Sequence, residues 1–215
     1  MCAAKPVIPK HVLHATGQPP IYYECSECGF LTAEKAATEA TKPCPQCTIV
    51  PVSWRLVPDE RLRRLEQRIQ RYHADGDDEI VVILVATQLE ALLEDTLARM
   101  LAAHGADVAV QEVLLDSMRS IGQRLSRLFP ALTGEQFEDV AAELCCQDFP
   151  KRWRALRELR NSFIHDAPFV PSPDVLDHRD AEEAMALLDQ AYRLFVLIND
   201  RFATGTPRRS HYEPS

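Results

Sequence analysis

The chain from residue 58 onward has the periodicity of amphipathic helices. Its apolar residues recur every three or four positions, the spacing that lines one face of a helix, and prolines, glycines and acidic residues punctuate these runs. The predicted helices are a first from Pro58-Asp59-Glu60 to the Asp75–Asp78 break, a second ending at Gly105, a third running up to Pro130, a fourth over 135–145, a fifth from near Pro150 to His165, and a last over 181–202.

The apolar faces of these helices predict a shared core. They comprise Val82, Ala86, Leu89, Leu93, Leu97 and Met100 in the second helix, Val110, Val113, Ile121, Leu125 and Leu128 in the third, and Trp153, Leu156, Leu159, Phe163 and Ile164 in the fifth. Long helices with single apolar faces and short connections pack as an up-and-down bundle. The predicted fold class is therefore all-α over residues 58–203. A flexible leader at 1–19 and a small module at 20–56 precede this bundle, and a disordered tail follows at 204–215.

Composition and charge narrow the class of protein. Hydrophobic residues make up 46% of the chain and charged residues 26%, ordinary values for a globular protein. The longest apolar run, Ile80 to Ala86, is too short to span a bilayer, and the leader lacks an apolar signal core, so we expect a cytoplasmic protein with no membrane partner. A net charge of −8 argues against a uniformly basic coat for nucleic acid but allows a local basic patch.

Four of the seven cysteines form the most specific pattern in the chain. Cys25 and Cys28 make one CxxC pair, Cys44 and Cys47 make another, and fifteen residues separate the pairs. This spacing is typical of a tetrahedral Zn²⁺ site built from two turns. The pattern resembles a zinc ribbon over residues 20–56, although the insert LTAEKAATEATK looks more helical than a ribbon hairpin.

The predicted metal has a structural role. Four thiolates leave no open position for a substrate, and so small a module needs a metal to fold. We therefore predict one structural Zn²⁺ per chain. Iron in a rubredoxin-like site also fits the spacing, although few aromatic residues flank the two turns.

An arginine interrupts the apolar face of the fifth helix. Arg160 falls among the apolar positions of that face, where a cation is costly unless it is paired or lies at an interface. Two explanations stay open. Arg160 forms a buried salt bridge to Glu90 or Glu94, with His165 acting only as a helix C-cap, or it belongs to a functional site.

The residues around this arginine carry a family resemblance. Arg160-Asn161-Ser162-Phe163-Ile164-His165 fits the pattern Arg, four residues, His, with Asn directly after Arg. This resembles the HEPN superfamily (higher eukaryotes and prokaryotes nucleotide-binding) of small helical bundles, whose signature is Arg-x4–6-His. The likeness covers about residues 58–203, and such domains also occur fused to zinc ribbons.

Two other stretches share the bare spacing. They run from Arg68 to His73 and from Arg99 to His104. Neither arginine is followed by Asn, and neither is centred on an apolar face, since Arg68 lies at the edge of its stripe and Arg99 points well away from it. The context of the third copy, rather than its spacing, therefore distinguishes Arg160.

The resemblance implies metal-independent cleavage of RNA by a homodimer that brings two motifs together in a composite active site. His165 would act as acid or base near neutral pH, and Arg160 would hold phosphate oxygens and stabilise their growing charge. Asn161 would orient His165 or contact the substrate. No cofactor is implied for catalysis. The class of function is a toxin or antiphage (antiviral) defence effector, and a toxin would imply an antitoxin partner, often nucleotidyltransferase-like.

A basic run precedes the motif and is predicted to bind RNA. Its residues are Lys151, Arg152, Arg154 and Arg157. Such a patch attracts a phosphate backbone without reading sequence. The alternative function is a non-enzymatic dimeric module that binds nucleic acid or a protein through the ribbon and this patch.

Overall fold

The computed structural model describes residues 21–34, 38, 42–49, 53–165 and 176–204, without the side chains of Ile164 and His165. The predicted leader at 1–19 and the predicted tail beyond Thr204 lie outside the described residues. Within them, a helical body follows a small three-stranded sheet that carries the cysteine pairs. The prediction of a mostly helical protein with an N-terminal cysteine module is confirmed at this level.

The elements follow the order of the sequence. The strands are β1 Tyr22–Cys25, β2 Leu31–Thr32 and β3 Trp54–Val57. The helices are α1 Glu60–Asp75, α2 Asp78–Ala103, α3 Val108–Ser117, α4 Ile121–Gln123, α5 Phe129–Thr133, α6 Phe137–Glu143, α7 Phe149–His165 and α8 His178–Phe202, with a π-helical turn, Arg124–Leu128, between α4 and α5.

The ends of α1 show how local sequence fixes a helix. The Asp59 carboxylate accepts a hydrogen bond of 2.8 Å from the Leu62 amide, as an N-cap residue does. At the other end Gly76 adopts a left-handed conformation, with φ of 78°, which a side chain would strain. Both boundaries confirm the predicted start and stop of the first helix.

The central helix is α2, which packs against α1, α7 and α8. Its predicted apolar face, from Val82 to Met100, is fully buried, and so are Val81 and Val85. A helix that is apolar on several sides is typical of the middle of a bundle. Even so, no helix in the described part of the chain combines the length and the apolar character needed to cross a membrane.

The predicted third helix is wrong as a single element. The chain leaves α3 after Ser117 and starts α4 only after Ser120, whose hydroxyl accepts a hydrogen bond of 3.1 Å from the Gln123 amide. Because this break resets the helical phase, Val110 and Val113 no longer share a face with Ile121. They are 45% and 68% exposed.

Pro130 does not end a helix, contrary to prediction. The Phe129 amide donates to the Arg124 carbonyl, five residues back, and closes the π-helical turn. Pro130, which has no N–H to donate, follows this turn directly and lies in the first turn of α5. The helix ends instead at Gly134, which has a φ of 78°.

The apolar face of the fifth helix is only partly buried. Trp153 and Leu156 are buried, as predicted, and Leu159 is partly buried. Phe163, however, is 37% exposed. The face therefore leaves the core in the last turns of α7, where the sequence predicted continued burial, because the neighbouring helices do not cover this end.

The cysteine module is an antiparallel sheet with strand order β2-β1-β3. Leu31 and Thr32 form β2, so the insert that looked helical begins as a strand. Most of the rest of that insert lies outside the described residues. The sheet packs on the bundle, because Tyr22, Leu31 and Val57 form one buried cluster with Val196 of α8.

A buried ion-pair network also joins the sheet to the bundle. Arg99 of α2 lies 2.8 Å from the Glu24 carboxylate of β1 and 2.8 Å from the Asp95 carboxylate one turn away. The Arg99 side chain is only 11% exposed. It points away from the apolar stripe of α2, as predicted, but the sheet covers that second face.

We predict that Arg99→Ala lowers the free energy of unfolding by about 3–5 kcal/mol, because it leaves two carboxylates without their buried cation. The measurement is the urea midpoint, with zinc in excess. Arg64→Ala is the matched control, because Arg64 also pairs with an acid one helical turn away, Glu60, but on an exposed surface. Exposed pairs of this kind contribute ~0.5 kcal/mol or less to the free energy of unfolding. Equal midpoints for the two variants would contradict this role of Arg99.

Candidate functional site

The two CxxC turns have the same backbone form. The Gly29 amide donates a 2.9 Å hydrogen bond to the Cys25 carbonyl, and the Thr48 amide donates a 2.9 Å bond to the Cys44 carbonyl. Gly29 and Thr48 have φ of 72° and 60°. Thr48 thus occupies the position at which the first turn uses glycine, a conformation that costs a β-branched residue some strain. The matching turns aim both pairs of thiols at one point.

The four thiols have the geometry of a tetrahedral metal site. The sulfur of Cys25 lies 3.9 Å from that of Cys47, and the sulfur of Cys28 lies 3.7 Å from that of Cys44. All four sulfurs lie within 4.8 Å of one another. With metal–sulfur bonds of about 2.3 Å, the edge of a tetrahedron is about 3.8 Å. The predicted ligands therefore converge as a four-thiolate metal site requires.

The surroundings of the thiols favour a bound cation. Cys25, Cys28 and Cys44 are buried among Phe30 and Trp54. Burial raises the pKa of Cys25 to about 11 and also raises the pKa of Cys28. Without a cation, buried thiolates are therefore unfavourable. A divalent ion would compensate their charge and displace their protons on binding.

Arg160 lies at the surface end of α7 and is held by two side chains. Its Nη1 donates a 2.8 Å hydrogen bond to Glu90 Oε1 of α2, while Nε and Nη2 donate to Asn161 Oδ1 at 3.2 and 3.0 Å. The Arg160 side chain is 18% exposed. Glu90 is one of the two partners predicted for a buried salt bridge with Arg160. The other, Glu94, pairs instead with Arg124 at 2.8 Å.

The other motif residues lie on the last turns of α7. Asn161, Ser162 and Phe163 are exposed. The helix continues to His165, so position 165 lies one turn beyond Asn161, but the His165 side chain is outside the described residues. The structure therefore brings Arg160 and Asn161 into contact and leaves the third predicted catalytic residue undescribed.

The predicted RNA-binding run has two kinds of member. Lys151 and Arg154 are exposed. Arg152 donates to Gln190 Oε1 at 3.1 Å, and Arg157 lies 3.9 Å from Glu90. Lys151 and Arg154 therefore extend from the surface of α7, whereas Arg152 and Arg157 lie against neighbouring helices.

The two other stretches with the Arg-x4-His spacing, Arg68 to His73 and Arg99 to His104, have different surroundings. Arg99 is committed to the buried network beneath the sheet, and His104 Nε2 hydrogen-bonds with the Leu132 carbonyl at 2.9 Å. His73 pairs with Glu182 at 2.9 Å, whereas Arg68 is exposed. Arg160 differs from Arg68 and Arg99 because a neighbouring Asn and an acid of another helix orient its guanidinium near the surface.

A large acidic cleft lies between the sheet and the start of α3, and sequence reasoning missed it. It has a volume of about 1270 Å³. Its carboxylates are Glu24, Glu27, Asp59, Asp95 and Asp107, and its cations are Arg55 and Arg99. These residues come from separate segments, so no local pattern could have indicated the cleft.

Comparison with protein-family models, with curated proteins and with solved structures finds no match. The HEPN resemblance therefore stays a prediction that rests on the motif and on the helical architecture.

We predict that the cysteine cluster binds one metal ion per chain and that Cys44→Ala abolishes this binding. Cys146→Ala is the matched control, because it removes a buried thiol outside the cluster. Loading with cobalt gives a thiolate-to-cobalt absorption band that the control keeps and Cys44→Ala loses. Metal content by mass spectrometry checks the stoichiometry. An unchanged band in Cys44→Ala would contradict the assignment.

Proposed function

We propose that this protein is a metal-independent endoribonuclease of the HEPN type, acting as a homodimer in a toxin or antiphage system. The observation that carries the proposal is the arrangement of Arg160, whose guanidinium is oriented near the surface by Asn161 and Glu90. The zinc of the cysteine cluster has a structural role, and catalysis needs no metal.

Arg160 retains hydrogen-bonding capacity for a phosphate. A guanidinium has five N–H donors, and the contacts with Glu90 and Asn161 use one on each of its three nitrogens. One donor on each terminal nitrogen is then left for a substrate. Because two side chains already fix the plane of the group, little conformational entropy is lost when it binds two phosphate oxygens.

His165 is the acid or base of the proposed reaction. It ends α7, where the helix dipole favours an imidazolium by about 0.3–1 kcal/mol. In the reaction a base takes the proton of a ribose 2′-hydroxyl and the oxygen attacks the adjacent phosphorus. The bond to the 5′-oxygen breaks, and that oxygen receives a proton from an acid. The products are a 2′,3′-cyclic phosphate and a 5′-hydroxyl.

A dimer would supply the second histidine that this scheme needs, since one imidazole cannot act as acid and base in the same step. The exposed end of the apolar face of α7 supports such an interface, because Phe163 is 37% exposed one turn from Arg160. A two-fold axis near this face would bring the two copies of Arg160 and His165 into one cleft.

The four-thiolate site supports a structural rather than a catalytic metal. Its ligands already occupy all four tetrahedral positions, so no position is left for substrate. Zinc is the ion proposed, and iron remains the alternative that the same spacing allows. If the protein is the toxin of a pair, its antitoxin would be a nucleotidyltransferase-like protein.

A second candidate is a non-enzymatic protein-binding module. Two observations favour it. The Arg160–Glu90 pair at 2.8 Å is also what a structural salt bridge requires, and five carboxylates but only two arginines line the cleft beside the ribbon. Such a surface repels a phosphate backbone and suits a basic protein segment. The test below separates the two candidates.

The test is cleavage of labelled tRNA and mRNA by the purified protein in excess EDTA. We expect cleavage that leaves 2′,3′-cyclic ends in the wild type and falls at least about 100-fold in Arg160→Ala and His165→Ala, because electrostatic and acid–base groups each contribute about 10²–10⁴. Zinc content is measured in the same samples, so that loss of the structural ion is recognised.

Matched controls come from the two other stretches with the Arg-x4-His spacing. Arg68→Ala and His104→Ala each remove an arginine or a histidine of the same spacing from another helix, and both should keep wild-type cleavage. Sedimentation confirms that every variant has the wild-type oligomeric state. If wild type and motif variants cleave alike or none of them cleaves RNA, the nuclease proposal fails and the binding-module candidate gains support.

A further inference from the structure

A second cluster of metal-ligating side chains lies at the opposite end of the bundle from the cysteines. His73 comes from the last turn of α1, whereas His178 and Glu182 come from the first two turns of α8. Their ligand atoms all lie within 4.8 Å of one another. None of these residues belongs to the cysteine cluster or to the motif on α7.

The distances within this cluster fit a small metal polyhedron. Glu182 Oε1 lies 2.9 Å from His73 Nε2 and 3.6 Å from His178 Nε2. A tetrahedral ion with ligand bonds of about 2.0–2.1 Å requires ligand atoms about 3.3–3.4 Å apart. These two separations lie on either side of that value, and all the ligand atoms lie within 4.8 Å of one another.

Asp78 orients one of the histidines. Its Oδ1 lies 3.2 Å from His178 Nδ1, on the opposite side of the ring from Nε2. Metal-binding histidines typically donate their second ring N–H to a carboxylate, which fixes the tautomer and directs the other nitrogen at the metal. The Asp78 side chain is 18% exposed, whereas the His178 side chain is 68% exposed, so the carboxylate is partly enclosed and the ring is at the surface.

The two imidazole rings converge on one carboxylate oxygen. They stack with centroids 5.8 Å apart and both face the same Glu182 oxygen. A single cation between the three side chains would accept one lone pair from each of them. The His178 and Glu182 side chains are 68% and 56% exposed, so an ion in solution can reach them.

We propose that His73, His178 and Glu182 bind one divalent transition-metal ion, with Asp78 as the residue that positions His178. Two imidazoles and one carboxylate select Zn²⁺ or a similar borderline ion over Mg²⁺ and Ca²⁺, which prefer oxygen ligands. Three protein ligands leave a coordination position for water or another ligand. This second site therefore differs in kind from the closed cysteine cluster.

The ion would join the end of α1 to the first turns of α8, and through Asp78 to the start of α2. These three helix ends meet at the first turn of α8. The proposal does not depend on the nuclease activity, because its ligands and its readout are independent of Arg160 and His165.

The experiment is calorimetric titration of Zn²⁺ into the full chain, purified without a histidine tag and already loaded with one equivalent of zinc. We expect one further equivalent to bind in the wild type and none in His73→Ala, His178→Ala or Glu182→Gln. Asp78→Asn should weaken the binding about 10- to 100-fold, the usual effect of removing such a positioning carboxylate.

Matched controls separate this site from general surface binding. His104→Ala removes another helix-end histidine, and Glu183→Gln removes the carboxylate beside Glu182 that pairs with Arg179. Both should bind like the wild type. Cobalt absorption at the cysteine cluster, together with circular dichroism, shows that each variant is folded. No further uptake by the wild type at micromolar zinc, or uptake that survives any of the three ligand substitutions, would overturn the proposal.

Discussion

The relation between the sheet and the bundle depends on one buried cation. Arg99 is enclosed between Glu24 of the sheet and Asp95 of its own helix, and burying any one of these charges alone would cost several kcal/mol. The ion pair between Arg99 and Glu24 forms only when the sheet lies over α2, as observed. Several features follow from that placement, including the cover over the second face of α2, the contact of Tyr22 and Leu31 with α8, and the walls of the acidic cleft.

Features encoded by a few adjacent residues were predictable from the sequence. The Asp59 and Gly76 boundaries of α1 follow from capping chemistry, and the cysteine ligands follow from their spacing. The third helix was predicted wrongly because periodicity alone does not reveal that Met118–Ser120 interrupts the phase between Val113 and Ile121. The helix end predicted at Pro130 was also wrong. The effect of a proline on a helix depends on the hydrogen bonds around it, and the π-helical turn before Pro130 could not be read from the sequence pattern.

Contacts between residues far apart in the chain could not be predicted from the sequence. The carboxylates of the acidic cleft come from segments far apart in the chain, and so do His73 and Glu182, which are separated by 109 positions. For Arg160, the sequence indicated the residue and gave Glu90 as one of two candidate partners. It could not decide between a salt bridge and a substrate clamp, because the same 2.8 Å contact serves both. A substrate clamp needs N–H donors of Arg160 that are not used by Glu90 or Asn161. The spacing of residues in the sequence does not show whether such donors exist.

The length of α8 has a mechanical consequence. The helix begins at His178 and contacts the cysteine module near its other end, through Val196 and through a 3.5 Å hydrogen bond from the Asn199 side-chain amide to the Gly29 carbonyl. These two ends lie about 30 Å apart at a rise of 1.5 Å per residue. A 5° tilt about one end would displace the other by roughly 3 Å. Because α8 has buried residues from Ala181 to Asn199, a shift of the cysteine module that tilts α8 would have to repack the core against α2, and the two ends of the helix are coupled through that core.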